Sequence, residues 1–277
     1  MTGARPNFIK VATLIRAIKK AQQAGQDVEY LLVYAGAEGD PTLEESLFTD
    51  LQMPHPDVYL GVTSHNVNEL TGEVMQAFEN YLNTHATDVV IVVDDLASTM
   101  AAAIVTKKHA IRLAHLVAGT RSFDINMPKE INRLVIDGLS DLLFTAGTGM
   151  GTTADQSKIY VVGNILMDSL RNNLPRFRRP QLLEGFTDGN YAVMTVNRKA
   201  LLADTDNLRQ MLLVVSAQLE YMPVFRPLRQ EAADAVRPLI EGLENMHLVS
   251  PLSYLEFGYL TAHASVVITD SGNVAEE

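Results

Sequence analysis

The sequence predicts an α/β protein of two Rossmann-like domains with a cleft between them, and three observations support this. Short β-branched or leucine-rich runs alternate with helical stretches along most of the 277 residues. Runs such as 89–93 (VVIVV) lack polar alternation, which is typical of parallel strands covered on both faces. The alternation breaks at 172–180 (NNLPRFRRP), a polar, proline-flanked stretch. We therefore expect an N-terminal domain over 1–170 and a C-terminal domain of the same class over 171–277, with ligands at the carboxyl ends of the strands.

The first block contains most of the regular pattern. Apolar residues three and four apart predict helices, and short apolar runs predict strands. The predicted strands are 28–34, 89–93, 111–115, 142–145 and 159–162, and the predicted helices are 7–24, 68–84, 98–108 and 130–139. Pro6 suits the first turn of the first helix, and 3–6 (GARP) looks like a turn that leaves a strand. Only Met1 and Thr2 precede this turn, so we expect the first strand of the domain to be missing.

The second block repeats the alternation on a smaller scale. It predicts strands at 191–195, 246–249 and 264–269 and helices at 207–219 and 254–262. The last strand leads into the polar turn at Ser271 and Gly272, which should open a helix. Free backbone N–H groups at such a turn favour an anion. The chain ends inside this element at Glu277, so we expect the domain to be incomplete at its C-terminus.

Composition excludes several classes of function. The net charge of −11 and the pI near 5.1 argue against nucleic acid or an anionic membrane as the main partner. With no cysteine, disulfides, thiolate metal sites and a cysteine nucleophile are excluded. No two of the seven histidines are spaced as ligands on a helix, so we expect no metal and no other cofactor. The absence of a signal peptide pattern and of a long apolar run favours a cytoplasmic protein.

Seven segments in order carry a resemblance to a known family. They are 3–10 (GARPNFIK), 94–99 (DDLAST), 115–121 (HLVAGTR), 127–133 (MPKEINR), 162–164 (VGN), 251–257 (PLSYLEF) and 269–272 (TDSG). Together they resemble the non-hydrolysing UDP-N-acetylglucosamine 2-epimerases over essentially the whole chain. The resemblance implies a fold similar to GT-B glycosyltransferases with a UDP-sugar in the cleft. It also implies interconversion of UDP-GlcNAc and UDP-ManNAc by elimination and re-addition of UDP, and we expect a homodimer.

The resemblance places two acid–base candidates, Asp95 and Glu130. Removal of an unactivated C2 proton needs positioned carboxylates or a histidine of suitable pKa. Asp95 directly follows a predicted strand, and its alternative role is to cap the helix predicted at 98–108. Its neighbour Asp94 replaces a glycine of the family pattern. Other acid–base positions of the family are occupied by residues that cannot serve in the same way, namely Val117 and Lys129 in place of glutamates, and Asn197 and Phe225 in place of histidines.

The same resemblance implies a substrate-binding set. Expulsion of UDP needs cations and N–H groups around its diphosphate, and Arg5 and Lys10 lie about one turn apart on the first predicted helix. Alternative roles are open: Lys10 on a solvated helix face, arginines in ion pairs, and an aromatic side chain in the core. The full predicted set is Arg5, Lys10, Arg121, Arg133, Asn197, Arg198, Phe257, Ser271, Gly272 and Glu277.

Three functions are compatible with these residues. The chain is an epimerase of this family, a degenerate member that retains UDP-sugar binding or only the fold, or a GT-B glycosyltransferase. Because most of a cooperating acid–base set is replaced, the sequence favours weak binding of UDP without epimerisation.

Overall fold

Both alternating blocks fold around a parallel β-sheet in the computed structural model, which confirms the predicted α/β class. The structure describes residues 1–147, 155–196 and 199–276. The chain divides into two units, Met1–Ser169 and Leu170–Glu277, called here the N-terminal and the C-terminal unit.

The N-terminal unit alternates strands and helices almost throughout. In chain order its elements are α1 (Arg5–Gln23), β1 (Val33–Tyr34), α2 (Glu45–Leu51), β2 (Val58–Tyr59), α3 (Val67–Leu82), β3 (Val89–Val93), α4 (Ala97–Lys108), β4 (Arg112–Leu116), α5 (Pro128–Leu139), β5 (Leu142–Thr145) and β6 (Ile159–Val161). The helix α6 (Ile165–Asn173) spans the division between the units. The main sheet has the order β3-β4-β5-β6 with every pair parallel, and β1 and β2 form a separate parallel pair.

The first two residues lie between these two sets of strands. The N–H of Thr2 donates to the carbonyl oxygen of Val33 (2.8 Å) on one side. The amino group of Met1 donates to the carbonyl oxygen of Ile91 (2.8 Å) on the other. Met1 and Thr2 thus make the hydrogen bonds of a strand between β1 and β3.

The core of the N-terminal unit follows from the composition of β3 and α4. Val92 in β3 is fully buried, as expected for a strand without polar alternation. On α4, Ala101, Ala102 and Ala103 are all fully buried, because small side chains let a helix approach its neighbours closely. Burial of these elements fixes the carboxyl ends of β3 and β4, where the polar residues described below begin.

The C-terminal unit has the same architecture on a smaller scale. Its elements are β7 (Ala192–Thr195), α7 (Lys199–Ala203), α8 (Thr205–Gln218), β8 (Val224–Pro227), α9 (Gln230–Val236), β9 (Met246–Val249), α10 (Tyr254–Ala262), β10 (Val266–Thr269) and α11 (Gly272–Glu276). The strand order is β10-β7-β8-β9, again parallel throughout. Neighbouring residues of β7 enter different clusters, Met194 with Leu212 and Val193 with Leu260. The strand is therefore covered on both faces, as its apolar sequence predicts.

Several predicted boundaries need correction. The strand expected at 28–34 is only Val33–Tyr34, because the N–H of Leu32 bonds the Asp57 carboxylate (2.6 Å) rather than a neighbouring strand. The first helix begins at Arg5, two residues before the predicted start. The short elements α2, β2, β8 and α9 were not predicted, since runs of two to seven residues carry little periodicity.

The length and apolar character of the described helices bear on membrane insertion. Within residues 1–147, 155–196 and 199–276, no helix is both long enough and apolar enough to cross one.

Candidate functional site

Polar side chains of the N-terminal unit converge where β3 ends. Asp94, the first residue after β3, accepts a hydrogen bond from the Lys10 ammonium at Oδ1 (2.5 Å) and another from Asn7 Nδ2 at Oδ2 (2.7 Å). The Lys10 side chain is only 6% exposed, so its alternative role on a solvated helix face is wrong. This is a charge-assisted pair in a largely dry environment.

The start of α1 is closed by Asn7. Its side-chain oxygen accepts the N–H groups of Gly3 (2.9 Å) and Ala4 (3.1 Å). Ala4 is the N-cap residue of α1, and Gly3 is the residue before it, so the Asn7 side chain reaches back over the start of its own helix. Arg5 is the first residue of α1 and is half-buried. The turn at 3–6 and the end of β3 are therefore held together by one asparagine.

Asp95 turns away from Asp94 toward α5. Its Oδ2 accepts from Arg133 Nε (2.8 Å) and Nη2 (2.6 Å), and its Oδ1 lies 3.4 Å from Lys129 Nζ. Asp95 does not cap α4, since the N-cap residue is Leu96 and no side chain bonds the first turn. The alternative role for Asp95 is thus wrong, and its carboxylate lies between two cations.

Glu130 also belongs to this network and is almost fully buried. One of its oxygens accepts from the N–H of Ser122 (2.9 Å), the Ser122 hydroxyl (3.0 Å) and Arg133 Nη1 (3.2 Å). The Ser122 backbone N–H is the main reason that the pKa of the Glu130 carboxyl lies below its usual range. Its hydroxyl and Arg133 act in the same direction, whereas burial opposes them. In this arrangement Glu130 is an ionised anchor for the segment that precedes α5.

A second buried cluster supports the end of β4. Asp137 on α5 accepts from His115 Nδ1 (2.6 Å), from Arg121 Nη2 (2.7 Å) and from the N–H of Gly119 (3.0 Å). Burial raises the pKa of Asp137, but the hydrogen bonds and charges of His115 and Arg121 outweigh it and hold that pKa below its usual range. The predicted substrate ligand Arg121 is therefore engaged in an internal ion pair, which was its alternative role.

The second ring nitrogen of His115 joins the two clusters. Its Nε2 lies 3.0 Å from the carbonyl oxygen of Asp94. Because both partners of the ring are acceptors, both nitrogens are placed to donate. Asp137 was not predicted as part of the site, and neither was Asn7. The one signal for Asp137 is its position one turn after Arg133 on the same helix, since nothing in the sequence connects it to His115.

Two residues of this edge adopt left-handed backbone conformations. Asp94 has φ of 60° and Val117 has φ of 68°. Asparagine and aspartate tolerate this region, but for a β-branched residue it is a strained conformation. Val117 occupies a position where the resemblance places a glutamate, so the backbone bend is present without the carboxylate.

The corresponding edge of the C-terminal unit is built from hydroxyls. The Thr195 hydroxyl donates to Thr269 Oγ1 (2.7 Å), which also accepts from the N–H of Ser271 (3.0 Å). Ser271 Oγ accepts from the N–H of Val274 (3.5 Å), and Gly272 is the first residue of α11. The predicted anion cradle is thus a hydroxyl-lined turn.

One buried cation lies at the same edge. Arg226 on β8 is fully buried, and its Nη2 donates to the carbonyl oxygen of Val196 (2.7 Å). Burial lowers the pKa of this guanidinium, and the negative charge of Asp270 opposes that change. Arg226 was not predicted, because it lies inside an apolar segment that gives no sign of a site.

The remaining predicted residues are less informative. Phe257 is half-buried and packs against the cluster that contains Phe225 and Tyr191, in agreement with its alternative role in the core. Asn197, Arg198 and Glu277 lie outside the described residues. Of the predicted set, the structure thus brings together Lys10, Asp95, Glu130 and Arg133 around the end of β3.

The arrangement limits the chemistry of this edge. Asp94 and Asp95 point to different cations and do not form a shared carboxylate site. In the described part of the chain, no three His, Asp or Glu side chains are grouped to hold a metal ion. Of the cations at this edge, Lys10, Arg133 and Lys129 each already face a carboxylate.

Comparisons with known proteins give a consistent result. Residues 20–277 match the sequence model of the family described as UDP-N-acetylglucosamine 2-epimerase. A UDP-N-acetylglucosamine 2-epimerase homolog of Methanococcus maripaludis is 32% identical over 100% of this chain and 79% of that protein. A UDP-2,3-diacetamido-2,3-dideoxy-D-glucuronate 2-epimerase of Pseudomonas aeruginosa is 30% identical over 99% of this chain and 78% of that protein. The crystal structure of Methanocaldococcus jannaschii UDP-GlcNAc 2-epimerase, in complex with UDP-GlcNAc and UDP, superposes with a TM-score of 0.83 at 26% identity, over 99% of this chain and 78% of that one.

Proposed function

The chain belongs to the UDP-N-acetylglucosamine 2-epimerase family, and from that premise we propose that it binds the UDP part of a UDP-sugar without epimerising the sugar. The observation that carries the proposal is the state of Asp95. Its carboxylate lies between Arg133 and Lys129 at the end of β3, so a cation already faces each of its two oxygens.

Binding is supported by groups that suit a diphosphate. Arg5 and Lys10 on α1 supply positive charge in the N-terminal unit. The turn at Ser271 and Gly272 in the C-terminal unit supplies the Ser271 hydroxyl, while the Ser271 N–H already donates to Thr269 Oγ1. Each charge-assisted contact to a phosphate contributes about 1.5–3 kcal/mol. The relative of known structure from Methanocaldococcus jannaschii is described in complex with UDP-GlcNAc and UDP, which fits the same ligand class.

Turnover is opposed by the acid–base groups. Exchange of the C2 proton on either face of the sugar needs groups that accept and return a proton near neutral pH. The pKa of Glu130 is lowered by Ser122, which makes it a weak base. Val117 cannot transfer a proton, and Phe225 is buried in an aromatic cluster with Phe186 (centroids 5.1 Å apart). Replacement of several members of a cooperating set is expected to remove most of its effect.

Two measurements test the two halves of this proposal. UDP titrated into the chain in a calorimeter should give a weak binding signal. UDP-GlcNAc incubated with the chain in D₂O should acquire no deuterium at C2, as followed by NMR. Robust C2 exchange that is abolished by Asp95→Asn would overturn the proposal and identify an active epimerase.

A matched pair of variants shows whether the calorimetric signal comes from this site. Arg5→Ala should weaken UDP binding about tenfold or more, since it removes one charge-assisted contact. Lys19→Ala removes a charge from the exposed face of the same helix and should leave the affinity unchanged. Equal effects of both substitutions would indicate non-specific attraction of the anion.

We also propose that the chain forms a homodimer. The outer face of α5 carries exposed Ile131 (45%) and Leu134 (44%), and the segment before it carries Phe123 (81%). Exposed apolar side chains grouped in this way are typical of interaction surfaces. Light scattering coupled to size-exclusion chromatography should give twice the chain mass, and Leu134→Glu should reduce it. A monomer at every concentration would contradict the homodimer.

A further inference from the structure

The carboxylate of Asp94 is bonded by two donors from the first turns of α1. One of its oxygens faces the Lys10 ammonium at 2.5 Å, and the other accepts from Asn7 Nδ2 at 2.7 Å. The side chains of Lys10 and Asp94 are only 6% and 16% exposed. The largely buried carboxylate thus has an ammonium at one oxygen and an amide N–H at the other, which are the donors that hold a bound anion.

The backbone around Asp94 keeps the carboxylate in this position. The N–H of Asp94 donates to the carbonyl oxygen of Leu116 (3.2 Å), and its own carbonyl accepts from His115 Nε2 (3.0 Å). With φ of 60°, the residue is in the left-handed region, where glycine is free of strain. The conformation therefore does not require an aspartate, and the carboxylate has another role.

Asp94 serves neither α4 nor α5. It does not cap α4, whose first turn has no side-chain cap. Its carboxylate forms no described ion pair with the cations of α5, because Arg133 and Lys129 face Asp95. The only charged partner that the structure describes for Asp94 is Lys10.

We propose that Asp94 is an internal anion that competes with ligand phosphate for Lys10, and that this residue sets how weakly the chain binds a nucleoside diphosphate. The inference rests on the proposed function, since it concerns the affinity of the same site. A diphosphate that reaches Lys10 must displace the Asp94 carboxylate or approach an ammonium whose charge is already neutralised. Removal of the carboxylate charge should therefore strengthen binding of UDP and of inorganic pyrophosphate.

Two substitutions at position 94 test this inference in the full chain. Asp94→Asn removes the charge but keeps a side chain of the same size, and asparagine also tolerates the left-handed backbone conformation. Asp94→Gly removes the side chain and suits the same φ. Calorimetry with UDP and with inorganic pyrophosphate should show about 10- to 100-fold tighter binding by both variants than by the parent chain. The matched control is Asp88→Asn, an exposed carboxylate at the other end of β3, which should leave both affinities unchanged.

Loss of Asp94 leaves a buried ammonium without its carboxylate, so the single variants are expected to be less stable than the parent. The double variant Asp94→Asn with Lys10→Met removes both charges. It should recover thermal stability without the gain in pyrophosphate affinity. As a second measurement, pyrophosphate should raise the melting temperature of Asp94→Asn more than that of the parent or of the double variant.

The outcomes separate this inference from the proposed function. If the parent binds UDP and the Asp94 variants bind no more tightly, the inference is wrong and the proposed function stands. If no variant binds UDP but Asp94→Asn gains affinity for pyrophosphate, the proposed function fails and the internal anion is supported. If Asp94→Asn and the double variant respond equally to pyrophosphate, Lys10 is not the group that Asp94 neutralises.

Discussion

At the carboxyl end of its sheet the N-terminal unit carries paired charges, whereas the C-terminal unit carries hydroxyls and one buried guanidinium. In the N-terminal unit Lys10 faces Asp94, Arg133 faces Asp95, and Arg121 faces Asp137. In the C-terminal unit Thr195, Thr269 and Ser271 bond one another instead. Both sheets are parallel and each has a largely buried inner strand, β4 or β7, so the difference lies in the chemistry of the loops and not in the architecture.

This difference indicates how the two units are stabilised and what each offers a ligand. Burial of a charged pair costs desolvation free energy, and the attraction between the two charges offsets that cost only while both partners are present. Burial of hydroxyl groups costs less desolvation free energy, and a hydroxyl can exchange one neutral hydrogen-bond partner for another. The N-terminal edge should therefore respond strongly to loss of any one charge, and the C-terminal edge weakly.

The largest expected effect is at Asp137. Asp137→Ala leaves His115 and Arg121 in the core of the N-terminal unit without their carboxylate, and it removes the acceptor of the Gly119 N–H. Breaking a buried pair in this way costs about 3–5 kcal/mol. Chemical denaturation followed by circular dichroism should show that loss. The exposed Asp27→Ala is the control and should change the free energy of unfolding little. Similar values for the two variants would contradict the contrast between the units.

The second expected effect comes from acid, which neutralises these carboxylates without removing them. The pKa of Asp137 and that of Glu130 are both lower in the folded chain than their ordinary values. Their contribution is therefore complete above the unfolded pKa values near 4, and it is lost as the pH falls through the lower folded values. Arg226 does not change its charge in that range.

Calorimetric scans at decreasing pH, with hydrogen exchange to assign each transition, should show the N-terminal unit losing stability first. Asp137→Asn, which cannot titrate, should reduce the slope of stability against pH. A C-terminal unit that unfolds first in acid would refute the comparison.

The third expected effect is at Arg226 and is smaller. Arg226→Met removes a buried guanidinium that costs desolvation, but it also leaves the carbonyl oxygen of Val196 without that donor. These two terms oppose each other, so we expect a net loss of about 1 kcal/mol. The exposed Arg229→Met in the same segment is the matched control. A loss as large as that of Asp137→Ala would show that the C-terminal edge depends on charge just as the N-terminal edge does.

How much of this was predictable from the sequence also differs between sheets and loops. The strands 89–93, 142–145 and 246–249 were predicted to the residue, because each is a short run of mainly apolar residues between helical stretches. The helices α3, α4 and α5 were predicted within two residues. Strands of two residues, such as β1 and β2, are set by long-range pairing that no local pattern contains.

The positions of the candidate residues along the chain were easier to predict than their contacts. The motifs placed Lys10, Asp95, Glu130 and Arg133 on the right elements, but the sequence did not indicate which carboxylate each cation faces. That choice depends on the left-handed bend at Asp94, which turns adjacent carboxylates in different directions. Bends of this kind usually coincide with glycine, so an aspartate gives little warning of them.

The smallest expected effect is at Val117, and it tests whether the bend after β4 stores strain. At φ of 68°, the backbone conformation of a β-branched residue is roughly 1–2 kcal/mol less favourable than that of glycine. Val117→Gly relieves this strain but loses some buried side-chain surface and makes the unfolded chain more flexible, at a combined cost of roughly 1–2 kcal/mol. The free energy of unfolding should therefore stay within about 0.5 kcal/mol of the parent value.

A second half-buried valine separates strain relief from simple tolerance of glycine. Val62 has no positive φ and packs against the core of the same unit, so Val62→Gly incurs the same costs with no strain to relieve. It should destabilise the chain by about 1–2 kcal/mol. Equal losses at positions 62 and 117 would mean that the bend after β4 is unstrained. A smaller loss at 117 than at 62 would indicate that the left-handed bend after β4 stores strain, which glycine relieves.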